Sequence, residues 1–267
     1  MNSKKTALFR ELHQGPRILM LPNAWDVSSA RIFEEAGFPA VGTSSAGVAN
    51  ILGYADGERT PGAEMIAFCG RIARALRIPV TADVEAGYGD PLGTAQALAD
   101  AGLAGMNLED TLGHEPGSLV DLRTQTRAIE QIRAKTDLVI NARCDIYLAG
   151  IGDPATRFDR IVERLNAYRQ AGADCLFAPG VRDAGTIGRL THAVNGPLNV
   201  LVGPGMPPAA ELERLGVRRV SVGSGPMRAT MGLTQRIAKE LRGPGTYSWL
   251  EGSLSYVDAN RLFEPRP

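Results

Sequence analysis

A chain of 267 residues is long enough to bury one large core, and α/β barrels of this length are commonly single domains. Lys plus Arg and Asp plus Glu balance at 29 each, which leaves neither the basic surplus of a nucleic-acid binder nor the acidic tail of a disordered partner-binding segment. No apolar run is long enough to span a bilayer and the opening MNSKKTALFRELHQG is too polar for a signal peptide, so the expectation is a cytoplasmic protein acting on a small molecule, with no nucleic-acid or membrane partner.

Short apolar, β-rich runs alternate with amphipathic stretches along almost the whole chain. In chain order the strand candidates are ILMLP (18–22), AVGTS (40–44), VTADVE (80–85), GMNLED (105–110), LVINARCD (138–145), CLFAPG (175–180), LNVLVG (198–203) and RVSVG (219–223). Between them lie the helical patterns VSSARIFEEAG, GAEMIAFCGRIARALR, PLGTAQALADAG, DLRTQTRAIEQIRAK, PATRFDRIVERLNAYRQAG, AGTIGRLTHAV and PPAAELERLG, and PMRATMGLTQRIAKELR follows the last strand. Eight β-then-α units with strands apolar on both faces predict a (β/α)8 TIM barrel, an α/β fold; an open doubly wound sheet uses the same alternation but seldom reaches this count.

Residues 1–267 are then one barrel domain, with 242–267 as a C-terminal extension rich in Trp, Tyr, Leu and Phe. Such a tail needs a surface to bury against, either a subunit interface or the bottom of the barrel. Cys69, Cys144 and Cys175 form no CxxC pair and read as reduced, buried thiols, although Cys144 stands between Arg143 and Asp145.

In a barrel, the C-terminal ends of the strands face the mouth where ligands bind. Asp83 and Glu85 fall at such an end, at i and i+2, where side chains of a strand share a face. The next two strand candidates end in Asn107, Glu109 and Asp110, and in Asn141, Arg143 and Asp145. Carboxylates crowded into a desolvated mouth repel unless a cation sits among them. An all-oxygen set without a Cys or His cluster favours Mg²⁺, with Mn²⁺ as the alternative, and Mg²⁺ takes few direct protein ligands. Asp83 is expected to bind the ion directly, and Glu85 and Glu109 partly through water. The competing reading makes these acids helix caps, or ion-pair partners of Arg143.

The same segments resemble the isocitrate lyase and phosphoenolpyruvate mutase superfamily over nearly the whole chain. The resemblance is carried by LPNAWDVSSARIFEEAGF, VGTSSAGVANILGYADGE, TADVEAGYGD, NLED, NARCD and RLNAYRQAGADCLFAPG, in that order. It is nearest to the small members described as carboxyvinyl-carboxyphosphonate phosphorylmutase-like or oxaloacetate decarboxylase-like. The resemblance implies a Mg²⁺-dependent barrel enzyme, a homo-oligomer (dimer or tetramer) that exchanges terminal helices between subunits, making or breaking C–C or C–P bonds of 2-oxo or 2-hydroxy carboxylates through an enolate held on the metal. It also implies roles: Asp83 as metal-binding aspartate, Glu85 and Glu109 as outer acidic ligands, and Arg143 as the arginine that grips the substrate carboxylate. Ser44, Ser45 and Ala46 match a turn that holds the same carboxylate, and Asp56 an aspartate on a mobile loop over the site.

One loop departs from the pattern. TLGHEPGSLVD, after NLED, lacks both the Lys-x-Cys-Gly-His motif of the isocitrate and methylisocitrate lyases and the Lys-Thr-Asn-Ser loop of the phosphonopyruvate enzymes. Three functions stay open. A lyase or decarboxylase acting on a small dicarboxylate would use water or His114 as acid and base, a role that suits histidine near neutral pH. A C–P bond enzyme would use Asp56 as nucleophile or guide, and a barrel that binds an oxo acid without turnover is the third. The glycine-rich LVGPG (201–205) and VGSGPMRA (222–229) lie where many barrels bind phosphate, although in the superfamily this region chiefly closes the barrel.

Overall fold

The computed structural model describes residues 2–111 and 117–264. The chain opens with helix α1 (Asn2–Gln14) and then enters the sheet through β1 (Leu19–Leu21) and β2 (Asn23–Ala24). Then come α2 (Val27–Glu35), β3 (Val41–Thr43), α3 (Ser45–Leu52), α4 (Gly62–Ala75), β4 (Val80–Asp83), α5 (Pro91–Asp100), β5 (Gly105–Glu109), α6 (Leu122–Lys135) and β6 (Val139–Arg143). The last part runs through α7 (Arg157–Gln170), β7 (Cys175–Phe177), α8 (Ala184–Ala193), β8 (Leu198–Leu201), α9 (Ala209–Arg214), β9 (Arg219–Ser221), α10 (Gly225–Arg242) and α11 (Tyr256–Arg261). All strand pairs are parallel, and each strand from β2 to β8 pairs with its successor while β1 pairs with β9, so the sheet forms a nearly closed barrel of the expected TIM type.

The first barrel strand is broken, which the sequence pattern did not show. Pro22 has no N–H to give a ladder, so β1 pairs with the last strand and β2 with the following one. Asn23 bridges the break. Its Oδ1 accepts the backbone N–H groups of Val222 and Gly223, both at 2.9 Å, and its Nδ2 donates to the Thr43 carbonyl at 2.7 Å.

Strands buried on both faces account for the apolar runs; every residue of β5 is buried. Helices begin where short acidic residues cap them: the side chains of Asp26, Asp90, Asp121 and Asp183 each accept a first-turn N–H. Helix α1, an element the sequence reading left without a structural role, closes the bottom of the barrel. Its Phe9 is fully buried with Leu19, Leu21, Ala40, Ala104 and Val139. Gly105 permits that approach, since a Cβ there would lie 2.7 Å from the Val139 carbonyl oxygen and 3.0 Å from the Phe9 ring.

His13 sits in the same plug. Its Nδ1 lies 2.7 Å from the Phe9 carbonyl, which can only accept, so Nδ1 carries the proton and Nε2 faces Arg219 Nη1 at 3.5 Å. Burial, and then the charge of Arg219, push its pKa down to about 4. The unfolded chain takes up this proton near pH 6.5 and the folded chain only near 4, so stability is full above the first value and drains as pH falls toward the second. Over that window the loss is about 3 kcal/mol. Urea unfolding between pH 7 and pH 4 should show it, and His13→Gln should flatten the slope; an unaltered slope would remove this imidazole as its source.

Candidate active site

The C-terminal strand ends surround a cavity of about 170 Å³. Asp83, Asn107 and Arg143 come to it from β4, β5 and β6, Ser44, Ser45 and Ala46 from the start of α3, and Asp56 from the following loop. All of these except Asn107 were assigned site roles from the sequence, and they line one space. Glu85 and Glu109 stand behind it, and His114 lies outside the described residues. Asn23, Ser221, Gly223 and Ser224 complete the polar wall, and Leu148, Phe177 and Leu201 the apolar one. Leu201, Gly223 and Ser224 belong to the glycine-rich segments already weighed as a phosphate-binding region; the other four were not assigned to a site from the sequence, although all except Leu148 sit at or just beyond strand ends, which is the signal that would have found them.

Ser44–Ala46 form no simple turn. Ser44 is the N-cap of α3, its Oγ accepting from Gly47 N at 3.2 Å, and the helix runs to a left-handed Gly53 with φ of 89°. The cavity therefore meets the positive end of a helix, where first-turn N–H groups lack intrahelical acceptors. Asp83 uses this end: its Oδ2 accepts from Ser45 Oγ at 2.9 Å and Ser45 N at 3.2 Å, and its Oδ1 from Asn107 Nδ2 at 3.4 Å.

Asp83 and Glu85 do not share a strand face. The strand ends at Asp83, and Glu85 adopts a left-handed φ of 51°, which turns its carboxylate toward the loop that carries Asp56. There Glu85 Oε2 accepts Glu58 N at 2.6 Å, Glu85 Oε1 accepts Tyr88 OH at 3.2 Å, and Glu58 Oε1 accepts Tyr88 N at 2.7 Å. Glu58, Glu85 and Tyr88 are the non-glycine residues with positive φ among the described residues, at 55°, 51° and 54°. Strain of this kind gathers at functional sites. Gly62 leaves room for the clasp, because a Cβ there would stand 2.9 Å from Tyr88.

Arg143 is gripped from behind. Its Nε and Nη2 donate to Asp145 at 2.6 and 2.8 Å, and its Nη1 meets Glu109 Oε2 at 2.7 Å. A guanidinium has five N–H groups, so one on each Nη is left for the cavity that Arg143 lines. Asp145 is held in turn, its N–H donating to Asp110 Oδ1 at 2.9 Å, and Asp110 accepts from Arg164 at 2.8 Å and Tyr168 at 2.6 Å. The neighbouring Cys144 is buried and free, its thiol pushed well up by burial and by the charge of Asp110.

The mouth carries more negative charge than it can comfortably hold. Burial, then the charge of Asp56, raises Glu85 to about 7. Burial also raises Glu109, with Arg143 opposing and Asp145, Asp83 and Glu85 adding to the rise. Asp56 is exposed as a residue, yet its carboxyl borders the cavity, where lost hydration and the Asp83 charge raise it too. A divalent cation would relieve this surplus. Among the described residues no three His, Cys, Asp or Glu side chains gather as a direct ligand cluster, and Asp83 and Asp56 are the carboxylates that border the cavity. The donor set therefore suits a hard ion that keeps most of its water and takes one direct carboxylate.

Residues 9–242 match the family profile of phosphoenolpyruvate phosphomutase. Oxaloacetate decarboxylase of Pseudomonas aeruginosa is 30% identical over 247 residues, covering 89% of this chain and 85% of its own. Among solved structures, a Burkholderia cenocepacia J2315 protein whose lyase/mutase assignment is itself inferred is 35% identical, covers 99% of this chain and 97% of its own, and superposes with a TM-score of 0.90. The crystal structure of 2,3-dimethylmalate lyase is 25% identical with a TM-score of 0.85, covering 97% and 95% of the two chains. The chain belongs to the isocitrate lyase/phosphoenolpyruvate mutase superfamily. It is an enzyme of the lyase and mutase type.

Proposed function

We propose that this enzyme is a divalent-metal-dependent lyase or decarboxylase that cleaves a C–C bond of a small 2-oxo or 2-hydroxy dicarboxylate, with Mg²⁺ as its ion and Mn²⁺ as a substitute. The observation that supports it most is the convergence on one cavity of Asp83, the N-terminus of α3 and the two remaining N–H groups of Arg143. Asp83 would hold the ion directly, and Glu85 and Glu109 through water; bound there, it would stabilise the charge that develops on the 2-oxygen as the bond breaks.

The chain's own groups do the rest. Arg143 grips the far carboxylate through the outer edge of its fork, and Ala46 offers a first-turn N–H group to the near one, while Ser45 holds Asp83 in place. Leu148, Phe177 and Leu201 keep one side of the substrate dry, which strengthens these contacts. From a 2-oxo acid the distal carboxylate leaves as CO₂, the electron pair of the broken bond stays on the carbon next to the 2-oxo group, and a proton from water or His114 quenches it. From a 2-hydroxy acid water or His114 takes the hydroxyl proton as the bond to the next carbon breaks, the 2-oxo product forms, and the electron pair is protonated on the released carbon. Asp56 closes the mouth.

The family match to a phosphomutase, with Asp56 on the cavity wall, supports a second reading, C–P bond chemistry with Asp56 as nucleophile or guide. A release assay decides between them. Oxaloacetate, 2-alkylmalates, methylisocitrate and phosphonopyruvate would be incubated with Mg²⁺ and the enzyme, and pyruvate, glyoxylate, CO₂ and phosphate measured. Carbon products without phosphate are expected; phosphate from phosphonopyruvate alone would replace the first reading by the second.

The same reading makes the enzyme a homo-oligomer, a dimer or tetramer. Helix α10 buries only Met227, and beyond it Tyr247, Leu254, Tyr256 and Val257 are 61–85% exposed, more apolar surface than one tail usually leaves in water. Light scattering should give a multiple of 28.4 kDa, and the monomer mass at micromolar concentration would refute it.

A further inference from the structure

Arg219 lies wholly buried in the barrel interior, beneath the mouth and above the plug formed by α1. Its Nη2 donates to Asn107 Oδ1 at 3.2 Å and its Nε to Ser221 Oγ at 3.3 Å, while Nη1 faces His13 and the Phe9 ring centroid lies 5.9 Å from Cζ. Among the described residues no carboxylate forms an ion pair with it. Burial lowers its pKa only to about 10, so the cation persists at neutral pH. A buried charge without a counter-ion is costly, and an apolar side chain of similar volume would serve packing better. Retention of such a charge points to work done elsewhere.

That work falls on one amide. Asn107 Oδ1 accepts from Arg219 and also from its register partner Asn141, Nδ2 at 2.8 Å, so two donors allow only one flip of the amide. Its Nδ2 is thereby turned up toward Asp83 Oδ1 and the cavity. A donor whose own oxygen is bound to a cation is also the stronger donor, because hydrogen bonds in a chain polarise one another. Ser221, the other partner of Arg219, lines the same cavity.

We infer that Arg219 is a positioning residue, whose buried charge fixes and polarises the Asn107 amide as a hydrogen-bond donor to the substrate oxyanion beside Asp83. This rests on the site proposed above. The test compares wild type, Arg219→Met, Arg219→Lys, Asn107→Ala and the Arg219→Met/Asn107→Ala double variant. Each is measured for thermal midpoint, for kcat and KM on the acid that the release assay identifies, and for binding of oxalate, a small planar dianion, with Mn²⁺ present.

Arg219→Met is expected to lower kcat by about 30-fold, less than the roughly 100- to 1000-fold of an oxyanion donor lost outright because the Asn107 amide itself remains, and to weaken oxalate about tenfold, with the thermal midpoint unchanged or raised because the unpaired charge is gone. In the Asn107→Ala background the same substitution should cost less than about threefold, the mark of a shared interaction. Arg219→Lys should recover part of the loss, and carries the same comparison if the Met variant does not fold. A lower thermal midpoint with unchanged kcat per folded molecule would overturn the inference, as would full additivity with Asn107→Ala. If Asp83→Ala abolishes oxalate binding while Arg219→Met leaves it intact, only the role of Arg219 falls; if Asp83→Ala leaves binding intact, the site reading falls and this inference with it.

Discussion

Asp83→Ala should lower kcat/KM by about a thousandfold or more while the barrel stays folded. Loss of one electrostatic stabiliser of developing charge typically costs about 3–4 kcal/mol of transition-state energy, and each 1.36 kcal/mol is a factor of ten. Asp83 would supply the direct link to the metal, so the whole Lewis-acid contribution rests on it. Its structural contribution is smaller. Two contacts from Ser45 and one long contact from Asn107 would be lost, at about 1 kcal/mol net for each well-formed bond. Part of that returns, because its charge is among those that raise Asp56, Glu85 and Glu109. Metal titration, circular dichroism and turnover on the same preparation check the three statements together. Metal-dependent activity that survives would remove Asp83 from the metal.

Arg143→Lys should raise KM by about 10- to 100-fold, the worth of a charge-assisted forked contact to a carboxylate. An ammonium on a shorter stem cannot hold Asp145 with two nitrogens, meet Glu109 with a third and still face the substrate. Arg143→Met goes further. It leaves Glu109 and Asp145 buried with no cation, and breaking a buried pair in this way costs about 3–5 kcal/mol of stability. Steady-state kinetics on the Lys variant and denaturant unfolding of the Met variant separate the two roles. Unchanged KM and kcat in the first would take Arg143 out of the binding site, and an unchanged unfolding midpoint in the second would mean that its two carboxylates release their charge at no cost.

The eight-fold alternation was legible because parallel strands are buried on both faces and leave unbroken apolar runs such as VINAR and GMNLE. So was much of the mouth: Asp83, Arg143 and Ser44–Ala46 come together as their places at strand ends required. Periodicity could not show that β4 stops at Asp83, since a left-handed residue at Glu85 leaves no mark in an apolar pattern. Nor could it show α1 as a plug, because a helix with a Lys pair and one buried edge has a weak apolar stripe, and its partners Ala104 and Val139 lie about a hundred residues away. Arg219 was hidden most completely. An arginine inside RVSVG reads as a charged residue at a strand edge until the barrel closes around it.

The clasp between Glu58, Glu85 and Tyr88 bears on how the enzyme exchanges ligands. It fastens the loop that carries Asp56 with two strong contacts to backbone N–H groups, while three non-glycine residues are held in a backbone region that costs of order 1 kcal/mol or more apiece. Opening the loop would forfeit the contacts but release the strain held at Glu58, the one of the three that lies on it, so the net cost would be less than the contacts alone suggest. A loop held in this way would swing at modest net cost, without any strand or helix of the barrel having to melt. A bound substrate needs only a modest preference for the closed form to decide which way it rests.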